Sequence, residues 1–338
     1  MRCTLLLPGS LVPEEAATEV LPGLQTPNLA ARLQRATLIA EHTVDDALTG
    51  AAHLSWLWNA LAGRAPMATA PYALQELGGE PGDRQIWHAD PVHLEPARDH
   101  LLLLPLDSAP LAEREVEALL AAASESCAQQ GCRLFIQGGA WFLQPDTPWE
   151  IDAVPLAGAA YRPLVHEAST LPRGADRRRW LKVQNELQIL WAQHPVNVAR
   201  EEEGYATANS LWLHGGGNWQ AVPPTRFAQV QADDPATRGI ARAAGAQVNG
   251  PDEALRDAGL IVLDDAFAAA RTNAWDQWHA AMRAIDARIG EMGSTPLDIV
   301  LAGATRVRHF SATPADRWRF WRQATPRTWL LEPATEWS

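Results

Sequence analysis

Cysteine is scarce: Cys3, Cys127 and Cys132 are the three in 338 residues. Cys127 and Cys132 stand five apart around Gly131, which does not match the paired short spacings of a structural zinc site. The expected reading is buried thiols in a reducing compartment, with a redox or metal role as the alternative. Long apolar runs are missing too. The richest stretch, "HLLLLPLD", has only the length of a strand, whereas a membrane-spanning helix needs about 20 apolar residues. Leu5 to Leu7 are followed at once by Pro8 and Gly9, so the core of a secretory signal, about 7–15 apolar residues, is not formed. Positive charge is in deficit: 28 Lys and Arg face 40 Asp and Glu, a formal net charge of -12 with a pI near 5.3. Such a surface repels nucleic-acid backbones and anionic lipid, which removes nucleic acid and membrane as partners. A local basic pocket can still take a small anion. A soluble, cytoplasmic protein is expected.

Tryptophan, by contrast, is abundant, with 15 in the chain. Several come in close pairs, such as Trp56 and Trp58, Trp275 and Trp278, Trp318 and Trp321. An indole buries a large area and needs one partner for its N–H, so core packing is the expected use and a stacking platform the alternative. A chain of this length hides roughly 75% of its unfolded surface on folding, enough for one large core or two ordinary ones.

Local patterns divide the chain. "CTLLL" reads as a first strand, and Asn28 can cap a helix in "TPNLAARLQRA" with Leu29 and Leu33 on one face. Leu48, Ala52, Trp56 and Leu57 recur at helical spacing between Asp45 and Ala62. "GGEPGDR", Gly78 to Arg84, has nothing to bury and breaks the pattern. Beyond it the short strands "RQIWH", "HLLLL", "RLFIQ" and "AWFLQ" surround a helix from Leu111 to Gln129, with Gly138-Gly139 as a hairpin turn. These predict an inserted α+β domain over 81–173. A helix follows from Asp176 to Gln193, with Trp180, Gln184, Leu187 and Trp191 along one stripe, and Pro195 stops it. From Asn209 onward strands and helices alternate: "SLWLH", "FAQVQ", "RGIARAAG", "GLIVLDD", "AWDQWHAAMRAIDARIGEM", "LDIVLAG". Apolar strands without strict alternation predict a mainly parallel sheet covered on both faces. The expected fold class is α/β, with 1–80 and 174–338 forming a discontinuous core around the insert.

The middle of the chain, "HPVNVAREEEGYATANSLWLHGGG", resembles the archaeal-type cofactor-independent phosphoglycerate mutases, in which a similar string joins a helix to a core strand. The matching positions are His194, Pro195, Val196, Asn197, Arg200, Gly204, Ala208, Asn209, Gly215 and Gly217. "TPNLAARL", "DPVHL" with "RDHLLLL", "RGIARAAGAQV" with Arg238 in place of a lysine, and "AIDARIG" are similar to further segments of that family in the same order. Within the group the chain is also similar to the bacterial RpfE-type regulatory proteins. The resemblance implies an alkaline-phosphatase-like core, two divalent metals and a Ser or Thr that is transiently phosphorylated. Two cations clamp an in-line displacement and stabilise both attacking and leaving oxygens, so such a site needs a dense set of Asp and His ligands.

Three motifs depart from that pattern. The first strand ends "LLLPGSLVP" where the resemblance implies Asp-Gly, and Ala302-Gly303-Ala304-Thr305 stands where it implies Gly-Asp-His. "DDAFAAARTN" keeps Asp264 and Asp265 of an Asp-Glu-x-Gly-His motif and has no histidine. Each cation needs several ligands, so no metal cofactor is expected. The alternative is an active mutase or phosphatase that uses Mn, Zn or Mg at a relocated site drawn from Asp264, Asp265, Asp90 and His93. "WHADPVHLEPARDH" concentrates His88, Asp90, His93, Asp99 and His100. Ser10, Thr26 and Thr43 are nucleophiles by residue type alone, without an adjacent base, and no catalytic residue is assigned.

The remaining polar residues make a candidate ligand set. Gly215, Gly216 and Gly217 can present backbone N–H groups to an anion, or form a tight turn. His194 can close the preceding helix or act as an acid. Asn197, Arg200 and Asn209 flank a strand end, where open α/β sheets gather ligands. Arg200 can clamp two oxygens of a carboxylate or phosphate, or pair within the linker with Glu201 to Glu203. Asp90 and His93 complete the set. The expected function is a catalytically degenerate mutase-like protein, regulatory or binding a small phosphorylated or carboxylate ligand. A structural role with a protein partner and no pocket is the other alternative.

Overall fold

The computed structural model describes residues 2–44, 48–65, 67–98, 100–164, 171–250, 253, 259–318 and 324–333. The chain forms two compact units. One is Met1–Pro66 with Val222–Asp234 and Ala241–Ser338; the other is Met67–Ala221 with Pro235–Ile240.

In chain order the first unit opens with β1 (Cys3–Pro8), β2 (Val12–Pro13) and β3 (Thr37–Thr43). The second unit holds β4 (Ile86–Pro96), β5 (Leu101–Pro105), β6 (Cys132–Gln137), β7 (Ala140–Pro145), β8 (Pro163–Leu164) and β9 (Ser210–Gly217). The first unit resumes with β10 (Gln229–Gln231), β11 (Gln247–Asn249) and β12 (Gly259–Val262). It ends with β13 (Leu297–Ala302), β14 (Arg306–Ala312) and β15 (Leu331–Glu332).

The first unit is built on a seven-stranded sheet in the order β11-β10-β12-β1-β13-β14-β3. Its first five strands run parallel, and β14 pairs antiparallel with both β13 and β3. Every residue of β1 and β13 is buried, which is why both read as mainly apolar runs, interrupted by Thr4 and Asp298, rather than alternating ones. Helix Trp275–Glu291 covers one face, where Trp278, Met282, Ile285 and Ile289 meet Leu5, Leu7, Leu297 and Ile299. The same helix carries buried Asp286, whose carboxylate accepts from the Leu29 N–H at 2.7 Å and from Asn28 Nδ2 at 2.9 Å. Asn28 therefore binds a distant carboxylate. Its helix, Pro27–Leu33, begins at Pro27, and Thr26 holds the cap position.

The second unit is a six-stranded antiparallel sheet in the order β6-β7-β4-β5-β8, with β9 also paired to β4. Helices Glu113–Gln129 and Arg177–Ala192 supply Leu119, Ala123, Trp180, Val183, Leu187 and Trp191 to a core shared with Trp87, Trp141 and Trp149. Trp141 and Trp191 meet edge to face with centroids 6.1 Å apart, and Trp191 Nε1 donates to the Leu119 carbonyl at 3.1 Å. These indoles are core residues. At ~25 cal/mol per Å² and roughly 200 Å² apiece, each contributes on the order of 5 kcal/mol before entropy is counted.

This unit is larger than the insert expected over 81–173. It includes helix Arg177–Ala192, a second helix Pro195–Glu202, and β9 with the "SLWLHGGG" string. The physical reason is hydrogen bonding: β9 pairs antiparallel with β4 from Ser210↔Val92 to Gly217↔Ile86 and takes no part in the parallel sheet. All three cysteines are buried and free. No described helix is long and apolar enough to cross a membrane.

Candidate functional site

In an open α/β sheet, ligands gather beyond the carboxyl ends of the strands. In the first unit β1 leads there into Gly9-Ser10, β12 into Asp264-Asp265, and β13 into Gly303-Ala304-Thr305. Ser10 is fully buried; its Oγ donates to the Leu7 carbonyl at 2.7 Å and accepts from the Ala302 N–H at 3.2 Å. Proton and lone pair are thus both used by backbone, which is a locking geometry and not that of an activated nucleophile. Gly9 is equally constrained. It has φ +71, a Cβ there would stand 2.6 Å from the Cα of Phe267, and its carbonyl accepts from Trp278 Nε1 at 2.8 Å.

At the end of β13 the backbone donates. The N–H groups of Ala304, Thr305 and Arg306 reach the Glu332 carboxylate at 2.9, 2.7 and 3.0 Å, and the Thr305 hydroxyl reaches it at 2.9 Å. Glu332 is buried, and its Oε2 fills the space that a side chain at Gly303 would need.

Acids collect at the ends of neighbouring strands: Asp233 and Asp234 beyond β10, Asp264 and Asp265 beyond β12. Burial pushes the Asp264 carboxyl up, a backbone hydrogen bond opposes it, and the charges of Asp233, Asp265 and Asp234 raise it further. Nearby, His53 is buried edge-on to the Phe267 ring at 4.8 Å, and its Nδ1 has no hydrogen-bond partner. Burial and then the Arg271 charge push it down to about 3, so the ring is neutral. Among the described residues no three or more His, Cys, Asp and Glu side chains are grouped to hold a metal. The two cations implied by the resemblance do not fit the ends of β1 and β13, which present donors where a cation needs acceptors.

The second unit contains a tighter polar cluster. His88 and Asp90 lie on one face of β4, and His214 of β9 lies across from them. His214 Nε2 is 2.6 Å from Asp90 Oδ2, and the His88 and His214 rings stack at 4.7 Å and 18°. Burial works to raise the Asp90 carboxyl, but the hydrogen bond from His214 and the charges of His214 and His88 outweigh it and hold the group below its usual range. Burial and the charge of Asp90 raise Asp107. A carboxylate that orients an imidazole in this way can store or relay a proton.

No protein-family model matches the chain, and no curated protein does. Among solved structures, the PH0037 protein from Pyrococcus horikoshii aligns with a TM-score of 0.54 at 16% identity, over 92% of this chain and 87% of that one. The two chains share a fold. The cofactor-independent phosphoglycerate mutase from Thermoplasma acidophilum DSM 1728 aligns at 15% identity over 93% of this chain and 90% of its own, with a TM-score of 0.37. That value is below the level from which a common fold is argued.

The ligand set expected from the sequence is spent inside the second unit. His194 caps the start of helix Pro195–Glu202, accepting the Val196 N–H at 3.3 Å, instead of closing the helix before it. Asn197 donates to the carbonyls of Trp191 and Ala208, both at 2.9 Å, and accepts the Ala208 N–H at 3.0 Å. Arg200, with a side chain 4% exposed, bonds Glu115 at 3.2 Å, the Ala206 carbonyl at 2.9 Å and the Ala109 carbonyl. Its acidic partner is therefore Glu115, not Glu201 to Glu203. The Asn209 side chain bonds the Leu94 backbone twice, accepting from its N–H at 2.7 Å and donating to its carbonyl at 3.0 Å. The triple glycine serves close approach: a Cβ on Gly216 would fall in the Trp87 ring, one on Gly215 would meet Thr69, and one on Gly217 would meet Ala68.

Asp90 stays in a polar cluster, but with His214 as its partner. His93, three residues further along β4, faces the other way, and its Nδ1 lies 3.0 Å from the Thr207 carbonyl. Asp99 is outside the described residues. Sequence reading missed His214 and Glu332. His214 lies within "SLWLHGGG", yet its partner is 124 positions away; Glu332 belongs to no motif.

Proposed function

We propose that this chain is a phosphoglycerate mutase-like protein of the RpfE-type regulatory kind that acts in the cytoplasm by binding and not by turnover. The observation that carries the reading is the end of β13. There the resemblance implies metal ligands, and three backbone N–H groups and a hydroxyl point at the Glu332 carboxylate instead. The locked hydroxyl of Ser10 supports it, since it offers no phosphate acceptor. The test is metal content together with a coupled assay converting 3-phosphoglycerate to 2-phosphoglycerate under added Mn²⁺, Mg²⁺ or Zn²⁺. The expected result is no bound metal and no turnover above blank. Two equivalents of metal with metal-dependent turnover would overturn it.

One observation favours the second reading, an active metal-dependent mutase or phosphatase with a relocated site. Asp233, Asp234, Asp264 and Asp265 sit close enough in space for their charges to raise Asp264. Ala substitution of Asp264 and Asp265 would abolish turnover under that reading.

A further inference from the structure

Four donors converge on one carboxylate at the turn between β13 and β14, at 2.7 to 3.0 Å. Consecutive N–H groups aimed at one point are the means by which backbone binds an oxyanion, and bonds to a charged acceptor are about twice as strong as neutral ones. The donors are positioned without help from Glu332. β13 and β14 pair residue by residue from Leu297↔Ala312 to Ala302↔Val307, and the Gly303 N–H closes the turn onto the Arg306 carbonyl at 2.9 Å.

The carboxylate arrives on a slighter support. β15 has two residues and pairs with β2, after a five-residue helix, Pro326–Leu330, anchored by buried Trp329 and Leu330. Arg308 Nη1 adds a bond to the Leu331 carbonyl at 2.8 Å and longer ones to the Thr328 and Trp329 carbonyls at 3.4 Å. Donors are thus built into the main sheet, and the acceptor is carried by the two-residue strand β15.

We propose that the β13–β14 turn is an oxyanion-binding site whose occupant in this fold is the chain's own Glu332, an internal ligand that a small carboxylate or phosphate replaces when β15 is withdrawn from β2. The site selects anions because it presents three N–H groups, which repel a cation. It lies beside the end of β1, where the Ser10 N–H donates to the Ala302 carbonyl at 3.0 Å. The assignment holds whether or not the chain turns over a phosphorylated substrate.

The experiment compares the wild-type protein with Glu332→Ala by thermal melting in sodium acetate, inorganic phosphate and sodium chloride of matched ionic strength. The variant is expected to melt lower than wild type, and acetate or phosphate to restore it saturably, with at least tenfold tighter binding than wild type shows. Recovery with acetate alone assigns a carboxylate occupant; recovery with both assigns a general oxyanion site. A variant that responds to neither anion more than wild type does overturns the proposal. If Glu332→Ala does not fold in chloride, refolding yield replaces the melt. Recovery only with the oxyanion supports the site, and equal failure in all three salts refutes it.

Discussion

Ser10 and Ala302 hold the ends of two adjacent parallel strands together through one hydroxyl, which accepts the Ala302 N–H at 3.2 Å while donating to the Leu7 carbonyl at 2.7 Å. Removing the hydroxyl takes one hydrogen bond from a buried donor and one from a buried acceptor. Ser10→Ala is expected to cost about 1–3 kcal/mol in urea denaturation and to leave any phosphatase background unchanged. A nucleophilic serine would give the opposite result, intact stability with lost activity.

His53 titrates well below its ordinary 6.5, at about 3, because the ring is buried near Arg271. The unfolded chain takes up a proton as pH falls through 6.5, and the native ring does not. Stability contributed by the neutral ring is complete above 6.5 and declines as pH falls toward 3, by about 1.4 kcal/mol per pH unit for one proton. His53→Phe should flatten that stretch of the stability profile, measured as urea midpoints between about pH 7 and pH 4. An unchanged slope would place the proton uptake elsewhere.

Asp90 behaves in the conventional acidic sense. Its folded value is depressed below 3.8, so its contribution is present above that value and disappears as pH falls through the lower, native one. Asp90→Asn should therefore be less stable than wild type at neutral pH, with the difference narrowing in strongly acid solution. Melting curves across the acid limb read this directly, and a constant difference at every pH would count against the His214 pairing.

Arg200 separates a ligand clamp from a structural one. Its guanidinium joins Glu115 to two backbone carbonyls while 4% exposed. Breaking such a buried pair from one side costs about 3–5 kcal/mol. Arg200→Ala should show that loss in chemical denaturation and leave phosphate-dependent thermal shifts as they are in wild type. Arg200→Lys should rescue little, since a single ammonium cannot reach three acceptors in different directions.

The sequence by itself determined the layered α/β core and much of its packing. β1 and β13 are legible as apolar runs, and helix Trp275–Glu291 as a stripe of Trp278, Met282, Ile285 and Ile289, because burial on a regular element leaves a local periodic trace. The tryptophans of helix Arg177–Ala192 are legible as core for the same reason. Only the tertiary structure decided which sheet β9 joins, since an apolar strand pairs equally well in either until its neighbour is known. It also decided the polar partners: Asp90 with His214 across 124 positions, Arg200 with Glu115 across 85, Thr305 with Glu332 across 27. A hydrogen bond is satisfied by direction and distance in space, and those leave no spacing in the chain for a reader to find.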